Sequence, residues 1–156
     1  MDTDINRALG SARELSRNEW KYKAEVHMNL DPSLPELPAL PGELNQTFLN
    51  LIVNAVHAIE EGSNDQPDFK GRIDISTRRM GDWVQIAVRD NGCGMSKAVR
   101  SRVFEPFFTT KKPGRGTGQG LTLAYAGVVD KHGGTIQVDS QPGVGSCFTI
   151  RLPLKT

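Results

Sequence analysis

The sequence is poor in cysteine, in aromatic residues and in long apolar runs. Its two cysteines, Cys93 and Cys147, are too few for the disulfide scaffold of a small secreted protein, and they favour a reducing compartment. No apolar run is long enough to span a bilayer. The N-terminus has no basic region followed by an apolar stretch, so we expect no signal peptide.

Neither sign of charge dominates the chain. Nineteen Lys and Arg residues face 18 Asp and Glu residues, which gives a formal net charge of +1. A chain of this balance has no strong electrostatic attraction to nucleic acid or to a membrane surface. We therefore expect no nucleic-acid partner and no direct membrane contact by these residues. The length of 156 residues is that of one globular domain.

Apolar periodicity predicts alternating helices and strands. We therefore predict an α/β fold, a two-layer sandwich in which a mixed, mostly antiparallel sheet of about five strands carries three helices on one face. The prolines of residues 31–41 predict an extended loop. The predicted helices are 4–18, 43–61 and a third from Leu121 to Gly133-Gly134, with a weak one at 96–103, and the predicted strands are 22–30, 72–79, 83–89, 135–139 and 146–152.

Asp90 is an acid at a position where the pattern predicts an apolar residue. It continues the parity of Val84, Ile86 and Val88, so its side chain should point towards the core. A buried carboxylate is costly unless a hydrogen-bond donor meets it, and an adenine amino group is one such donor. The alternative is an ordinary hairpin turn at Asp90-Asn91-Gly92. The residues after Gly94 do not alternate like a returning strand, which favours a ligand pocket.

A polar stripe runs along the helix predicted for residues 43–61. Asn50, Asn54 and His57 recur at helical spacing beside an apolar stripe. A neutral amide oxygen is a suitable ligand for Mg²⁺, which usually keeps water and phosphate oxygens as its other ligands. For Asn54 we favour the metal ligand over a solvent-facing role. For His57 a phosphate contact and simple exposure to solvent are equally good interpretations.

A glycine-rich loop precedes the last predicted helix. Glycine allows close approach of the backbone to a ligand, and backbone N–H groups at the start of a helix can bind an anion. The loop lacks the Lys-Ser/Thr pair of a Walker loop and does not directly follow a strand as a dinucleotide fingerprint does. Residues 109–118 have little apolar content, so we expect a mobile cover over phosphates. The two lysines Lys111 and Lys112 could reach phosphate or be solvated.

Five motifs, taken together in this order, resemble the catalytic, ATP-binding domain of bacterial sensor histidine kinases. That domain shares its Bergerat-type nucleotide fold with gyrase, the ninety-kilodalton heat-shock chaperone and the mismatch-repair protein MutL. The resemblance covers residues 22–156. Its motifs are the asparagine box Asn50-Leu51-Ile52-Val53-Asn54-Ala55, the first glycine box Asp90-Asn91-Gly92-Cys93-Gly94, the phenylalanine box Phe104-Glu105-Pro106-Phe107-Phe108, the second glycine box Gly116-Thr117-Gly118-Gln119-Gly120-Leu121, and the hairpin Gly143-Val144-Gly145-Ser146-Cys147-Phe148.

The resemblance implies ATP and Mg²⁺ as cofactors and assigns a role to several residues. Asp90 would bind the adenine amine, Asn54 would hold Mg²⁺, and Asn50 and His57 would lie near the phosphates. Residues 109–119 would form a lid over ATP, with Gln119 where the family often has leucine. The implied nucleotide-binding set is Asn50, Asn54, His57, Asp90, Gly92, Gly94, Phe107, Thr110, Lys111, Gly116, Thr117, Gly118, Gln119, Gly120 and Leu121, with Asn50 and Lys111 as candidates for positioning phosphate.

The resemblance also implies what the chain lacks. The family's phosphoaccepting histidine sits on a dimerisation helix and is followed by an acidic residue, and none of His27, His57 or His132 has that setting. We therefore expect residues 1–21 to be a linker helix from a missing dimerisation domain and residues 22–156 to be the catalytic domain. The implied partners are the phosphoacceptor domain of the same kinase and a response regulator, and the implied location is cytoplasmic, alone or as part of a membrane-bound sensor.

Two further functions share these motifs. One is an ATP-driven conformational ATPase of the same fold, and the other is a nucleotide-binding regulator without catalysis. Hydrolytic members resemble one another in a glutamate one helical turn before the magnesium asparagine, and here that position is Asn50. This difference favours the kinase.

Overall fold

A computed structural model describes residues 2–63, 68–105 and 120–154 of the chain. Its sheet strands follow the predicted hairpins closely. Within the described residues the strands are β1 (Asp2–Thr3), β2 (Ala24–Asn29), β3 (Leu37–Pro38), β4 (Gly71–Met80), β5 (Trp83–Asp90), β6 (Thr135–Gln141) and β7 (Gly145–Pro153). The helices are α1 (Ile5–Leu15), α2 (Arg17–Trp20), α3 (Pro41–Ser63), α4 (Lys97–Arg100) and α5 (Gly120–Tyr125), and α5 continues as a π-helical segment over Ala126–Asp130.

The main sheet has five strands in the order β2-β4-β5-β7-β6. The β2–β4 pair is parallel and the other three pairs are antiparallel. The predicted mixed, mostly antiparallel sheet of five strands is therefore confirmed. Each strand alternates buried and exposed residues, so one face of the sheet carries the core and the other carries mainly polar side chains.

The helix α3 is the centre of the helical layer. It packs against β4, β5 and β7, while α1 and α5 pack against its flanks. Its apolar stripe supplies much of the core, including Phe48 and Ile52, which are fully buried. The predicted helix at 43–61 is confirmed and is two residues longer at each end. No helix in the described ranges is both long and apolar enough to cross a bilayer.

The N-terminal segment belongs to the same core. Ile5 and Leu9 of α1 are buried with the side chains of α3. In addition, β1 pairs antiparallel with β3, which lies inside the stretch 31–41 predicted as a loop without strands. That prediction missed β3 because a two-residue strand has no periodicity to detect. The boundary between linker and catalytic domain after residue 21 stays a prediction, and in this structure α1 packs on α3.

The helix that begins with α5 ends where the sequence predicts. The N–H groups of Gly133 and Gly134 bond to the carbonyls of Val129 and Val128, at 3.1 Å and 3.0 Å. Gly133 has a φ of +65°, as expected for a glycine that ends a helix. The π-helical turn was not predicted, since a segment of 5 residues is too short for a change of helical period to show in the apolar pattern.

Candidate functional site

Asp90 is the last residue of β5 and is only 4% exposed. It shares the core face of the sheet with Val84, Ile86 and Val88, which confirms the prediction from parity. It does not begin a tight hairpin, because the strand paired with β5 on its far side is β7. The structure therefore places a carboxylate on the core face, at the end of the sheet's central strand.

The surroundings of Asp90 leave its charge only partly compensated. Burial raises the pKa of its carboxyl to about 6, while hydrogen bonds from the backbone N–H groups of Gly92 and Ser146 act in the opposite direction. The Gly92 nitrogen lies 2.8 Å from Asp90 Oδ1. A carboxylate that is ionised at neutral pH and has acceptor capacity to spare can bind a buried donor from a ligand.

The loop after Asp90 is fixed directly against α3. The Cys93 N–H donates to the Ala58 carbonyl of that helix at 2.9 Å. Gly92 is buried there, and a Cβ added to it would lie 2.4 Å from the Ala58 carbonyl carbon and 2.7 Å from the Ile59 nitrogen. Only glycine allows this approach of the loop to the helix, so Gly92 acts through packing between backbones.

We expect Gly92→Ala to be among the most damaging substitutions in the loop. The obstructing atoms are helix backbone, which cannot move aside as a side chain can, so the loop carrying Asp90 must shift. Overpacking of this kind costs about 1–3 kcal/mol or more. Urea denaturation measures the loss. The control is Gly10→Ala in α1, where the new methyl group meets nothing within 4 Å and where alanine should stabilise by about 0.5–1 kcal/mol. Equal stabilities of the two variants would contradict this packing.

The same loop is also attached to the turn between β6 and β7. The Gly143 N–H donates to the Cys93 carbonyl at 2.7 Å. Gly94 has a φ of +69°, and a Cβ there would lie 2.0 Å from the Gln141 carbonyl oxygen. The predicted glycines of this box thus lie between α3 and the β6–β7 hairpin. Together these contacts hold the Asp90 loop rigidly at one end of the sheet.

The polar stripe of α3 runs beside this loop. Asn54 lies one helical turn before Ala58, whose carbonyl anchors the loop, and residues four apart share a helix face. Asn50 is half-buried and its Oδ1 accepts a hydrogen bond from Gln46 Nε2 at 2.9 Å. His57 is also half-buried on the same face. The structure therefore brings these three side chains to the flank of α3 on which the Asp90 loop is anchored.

Asn54 differs from its neighbours in having an uncommitted amide. The residue is half-buried, and within residues 2–63, 68–105 and 120–154 its side chain makes no hydrogen bond. No cluster of His, Cys, Asp and Glu side chains in the described ranges could hold a metal ion. An amide that shares its metal with phosphate and water falls outside such clusters, and the chemistry of Asn54 fits Mg²⁺ in that way.

Cys93 lies within the loop but is poorly suited to react. Burial, followed by the nearby Glu61 carboxylate, raises the pKa of its thiol to about 11. The Sγ atom lies 3.5 Å from Glu61 Oε2, to which the thiol donates. The thiol is therefore protonated at neutral pH, and since the thiolate is the nucleophile, we assign Cys93 no catalytic role.

The far side of the site is described only in part. Phe104 packs its ring against Phe148 and Tyr125, with centroids 6.2 Å and 5.5 Å apart, and its carbonyl accepts from Thr122 Oγ1 at 3.1 Å. Leu121 packs against the core at the start of α5. The remaining predicted site residues Phe107, Thr110, Lys111, Gly116, Thr117, Gly118 and Gln119 lie outside the described residues, as does the predicted lid, and the side-chain surroundings of Gly120 do too.

Two serines beside Asp90 were missed as site residues. In the strand registers Asp90 pairs with Ser146, and Ser146 pairs with Ser140. The signal was present in the sequence, because Ser146 shares the parity of Phe148 and Ile150 in the way that Asp90 shares the parity of β5. A polar residue at a core position of a strand is thus the sequence signal that identifies Asp90, Ser146 and Ser140.

Comparisons with known proteins identify the family and the fold of the chain. Residues 39–156 match the family described as histidine kinase-, DNA gyrase B-, and HSP90-like ATPase. The sensor histidine kinase ZraS of Escherichia coli strain K12 is 36% identical over 152 residues, which are 97% of this chain and 30% of that protein. The chain therefore spans less than a third of the length of this relative.

Solved structures give the same result for the fold. Full-length ShkA in complex with AMPPNP superposes with a TM-score of 0.82 at 26% identity, over 100% of this chain and 31% of that one. The histidine kinase ThkA in complex with the response regulator protein TrrA superposes with a TM-score of 0.77 at 22% identity, over 99% of this chain and 41% of that one. The family match and the shared fold lead to one assignment: this chain belongs to the histidine kinase-, DNA gyrase B- and HSP90-like ATPases, and its homologues are sensor histidine kinases.

Proposed function

We propose that this chain binds Mg-ATP and donates its γ-phosphoryl group to a histidine on a separate dimerisation domain. One observation carries the proposal: the buried, ionisable carboxyl of Asp90 lies at the end of a loop that is anchored on α3. On that face of α3 the amide of Asn54 makes no hydrogen bond within the described residues. The first can bind an adenine amino group and the second can hold a magnesium ion among phosphates. The complex of ShkA with AMPPNP supports a nucleotide in this fold.

The chain's own residues would position the nucleotide. Asp90 would accept a hydrogen bond from the adenine amine, and the rigid loop through Gly92 and Gly94 would hold that carboxylate in place. Asn54 would hold Mg²⁺, which when bound supplies charge neutralisation for the phosphates. Since phosphoryl transfer depends mainly on positioning and electrostatic stabilisation, no strong base or nucleophile is needed on this domain.

The nucleophile would come from another domain. A neutral imidazole nitrogen forms a bond to the γ-phosphorus, the bond from phosphorus to the β,γ-bridging oxygen breaks, and ADP leaves with the electron pair. The imidazolium so formed then loses its remaining ring N–H proton to water. We propose that residues 1–21 link this domain to the one that carries the histidine, and that a response regulator accepts the phosphoryl group next. The complex of ThkA with TrrA supports such a partner. A cytoplasmic location accompanies this proposal.

Mixing the domain with radiolabelled Mg-ATP and a separately produced dimerisation domain tests the proposal. We expect acid-labile, alkali-stable label on the dimerisation domain, and no label when its histidine is replaced by glutamine. Free phosphate without labelled protein would indicate the conformational ATPase. ATP binding with neither product would indicate the regulatory module. Either of the last two outcomes would overturn the kinase proposal.

The affinity for ATP should depend on pH through Asp90. Because the pKa of this carboxyl is about 6 before the nucleotide binds, affinity should be constant above pH 7. Below pH 6 the ionised fraction, and hence the affinity, should fall about tenfold for each pH unit. Calorimetric titrations at pH 5 to 8 measure this dependence. The phosphates of ATP also titrate, so the same series on Asp90→Asn is the control, and parallel profiles for the two proteins would contradict the role of Asp90.

A further inference from the structure

Asp90 is the first of three polar residues that cross the core face of the sheet. Asp90 on β5, Ser146 on β7 and Ser140 on β6 are successive partners in the strand registers. Residues directly opposite one another on neighbouring strands have Cβ atoms about 4.5–5.5 Å apart. Asp90 and Ser146 are buried and Ser140 is half-buried. We call these three residues the polar row.

The Ser140 hydroxyl makes three contacts. Its Oγ accepts a hydrogen bond from the Met95 N–H at 2.7 Å and donates to the Gly145 carbonyl at 3.1 Å. It also lies 2.8 Å from Ser146 Oγ. Met95 directly follows the Asp90 loop, so Ser140 ties that loop to the β6–β7 hairpin.

These contacts determine which serine donates in the pair. A serine hydroxyl has one proton and two acceptor lone pairs. If Ser140 gives its proton to Gly145, all three of its contacts are satisfied only when Ser146 is the donor to Ser140. The opposite direction would leave Ser140 without a proton for Gly145. In the arrangement that satisfies every contact, the proton of Ser146 therefore points away from Asp90.

The consequence is that the side chains of Asp90 and Ser146 both offer acceptors. With its proton given to Ser140, the Ser146 hydroxyl has only lone pairs left for a group that binds beside the Asp90 carboxylate. An exocyclic amino group with two protons suits this pair of acceptors. A carbonyl in the same place would meet lone pairs, and an unsatisfied buried polar group is costly. We propose that Ser140, through Ser146, is a specificity-determining positioning residue that makes the site select a 6-amino purine over a 6-oxo purine. This inference rests on the proposed function.

The test compares the affinities of Mg-ATP and Mg-GTP for the wild-type chain and for Ser140→Ala. Removing the hydroxyl frees the Ser146 proton to turn towards the pocket, where it can donate to a carbonyl. The ratio of the ATP affinity to the GTP affinity should therefore fall by about tenfold, which corresponds to the free energy of one hydrogen bond. Ser140→Thr keeps the hydroxyl and should restore the wild-type ratio.

If Ser140 had a purely structural role, Ser140→Ala would weaken the binding of both nucleotides equally and leave the ratio of their affinities unchanged. The control for such a loss is Thr77→Ala, which removes a buried hydroxyl that donates to Asn6 Oδ1 and accepts from the Asp31 N–H elsewhere on the sheet. If Ser140→Ala does not fold, Ser140→Cys takes its place, because a thiol of similar size is only a weak donor and acceptor. The ratio should narrow in that variant as well.

The outcomes separate the two proposals. ATP binding by the wild-type chain with an unchanged ratio in the Ser140 variants would overturn the role of Ser140 and leave the proposed function intact. Failure of the wild-type chain to bind Mg-ATP would overturn the proposed function together with this inference. A narrowed ratio in Ser140→Ala, restored in Ser140→Thr and absent in Thr77→Ala, is the expected result.

Discussion

Replacing Asp90 by asparagine should weaken ATP binding severely and, at the same time, stabilise the folded protein at neutral pH. The amide keeps an oxygen for the Gly92 N–H, which lies 2.8 Å from Oδ1 in the wild-type chain. It no longer offers a charged acceptor to the adenine amine. Hydrogen bonds to charged groups are worth about 1.5–3 kcal/mol, so we expect the affinity to fall by about 10- to 150-fold.

The gain in stability follows from the raised pKa of Asp90. Its carboxyl has a pKa of about 6 when the chain is folded, against an ordinary value of 3.8. Between these two values the folded chain holds a proton that the unfolded chain has released, so the free energy of unfolding falls as the pH rises through this window. Above pH 6 the full cost of burying the ionised carboxylate lowers the free energy of unfolding. This cost amounts to about 3 kcal/mol, since each pKa unit corresponds to about 1.4 kcal/mol. Asparagine carries no such cost, and part of the gain is offset because its NH₂ group needs a partner.

Urea denaturation at pH 7.5, 5 and 4 measures this effect. Asp90→Asn should be more stable than the wild-type chain by about 1–3 kcal/mol at pH 7.5, and this difference in the free energy of unfolding should fall by about 2–3 kcal/mol as the pH is lowered through 6 to 4. The matched control is Asp74→Asn, which removes a carboxylate that pairs with Arg72 on the open face of the sheet and should give no gain. A gain that is independent of pH, or no gain at all, would contradict the desolvation of Asp90.

The alternation of apolar residues along the strands predicted more of this site than did the composition of the loops. The burial of Asp90 follows from Val84, Ile86 and Val88, because a one-residue shift of register would expose the whole apolar set. The five-strand sheet and α3 follow from the same periodicities. In contrast, the role of Gly92 as a contact for Ala58 depends on two backbones that are distant in sequence, and no local pattern encodes that approach.

Other features could not be predicted because their cause is tertiary. The strand β3 exists because β1 pairs with it, and neither segment is long enough to alternate. The structure places the apolar stripe of α1 on α3, in the same core, and no local pattern specifies a contact between segments so distant in sequence. The direction of the hydrogen bond between Ser140 and Ser146 depends on Met95 and Gly145, which register and loop geometry bring to the same hydroxyl.

The isolated domain should bind Mg-ATP and hydrolyse it very slowly, because Asn50 occupies the position from which a glutamate could activate water. Asn50 lies four residues before Asn54 on the same face of α3, and its amide already accepts a hydrogen bond from Gln46. An amide is no useful base near neutral pH, so ATP should persist until a histidine from another domain attacks it. Asn50→Glu places a carboxylate at that position. Since general-base catalysis contributes about 10²–10⁴-fold, we expect phosphate release to rise on the order of 10²-fold.

Phosphate release from Mg-ATP by the isolated domain, measured over hours, decides this prediction. The matched control is Gln46→Glu, which adds the same charge one helical turn earlier on an exposed residue. It also removes the donor to Asn50 Oδ1, and it should not raise the rate, because its carboxylate lies a turn away from position 50. Trans-phosphorylation of the dimerisation domain should fall in Asn50→Glu, because water then competes with the histidine for the γ-phosphoryl group. Rapid hydrolysis by the wild-type domain would overturn the kinase in favour of the ATPase. Equal rates for Asn50→Glu and Gln46→Glu would show that position 50 does not face the γ-phosphate.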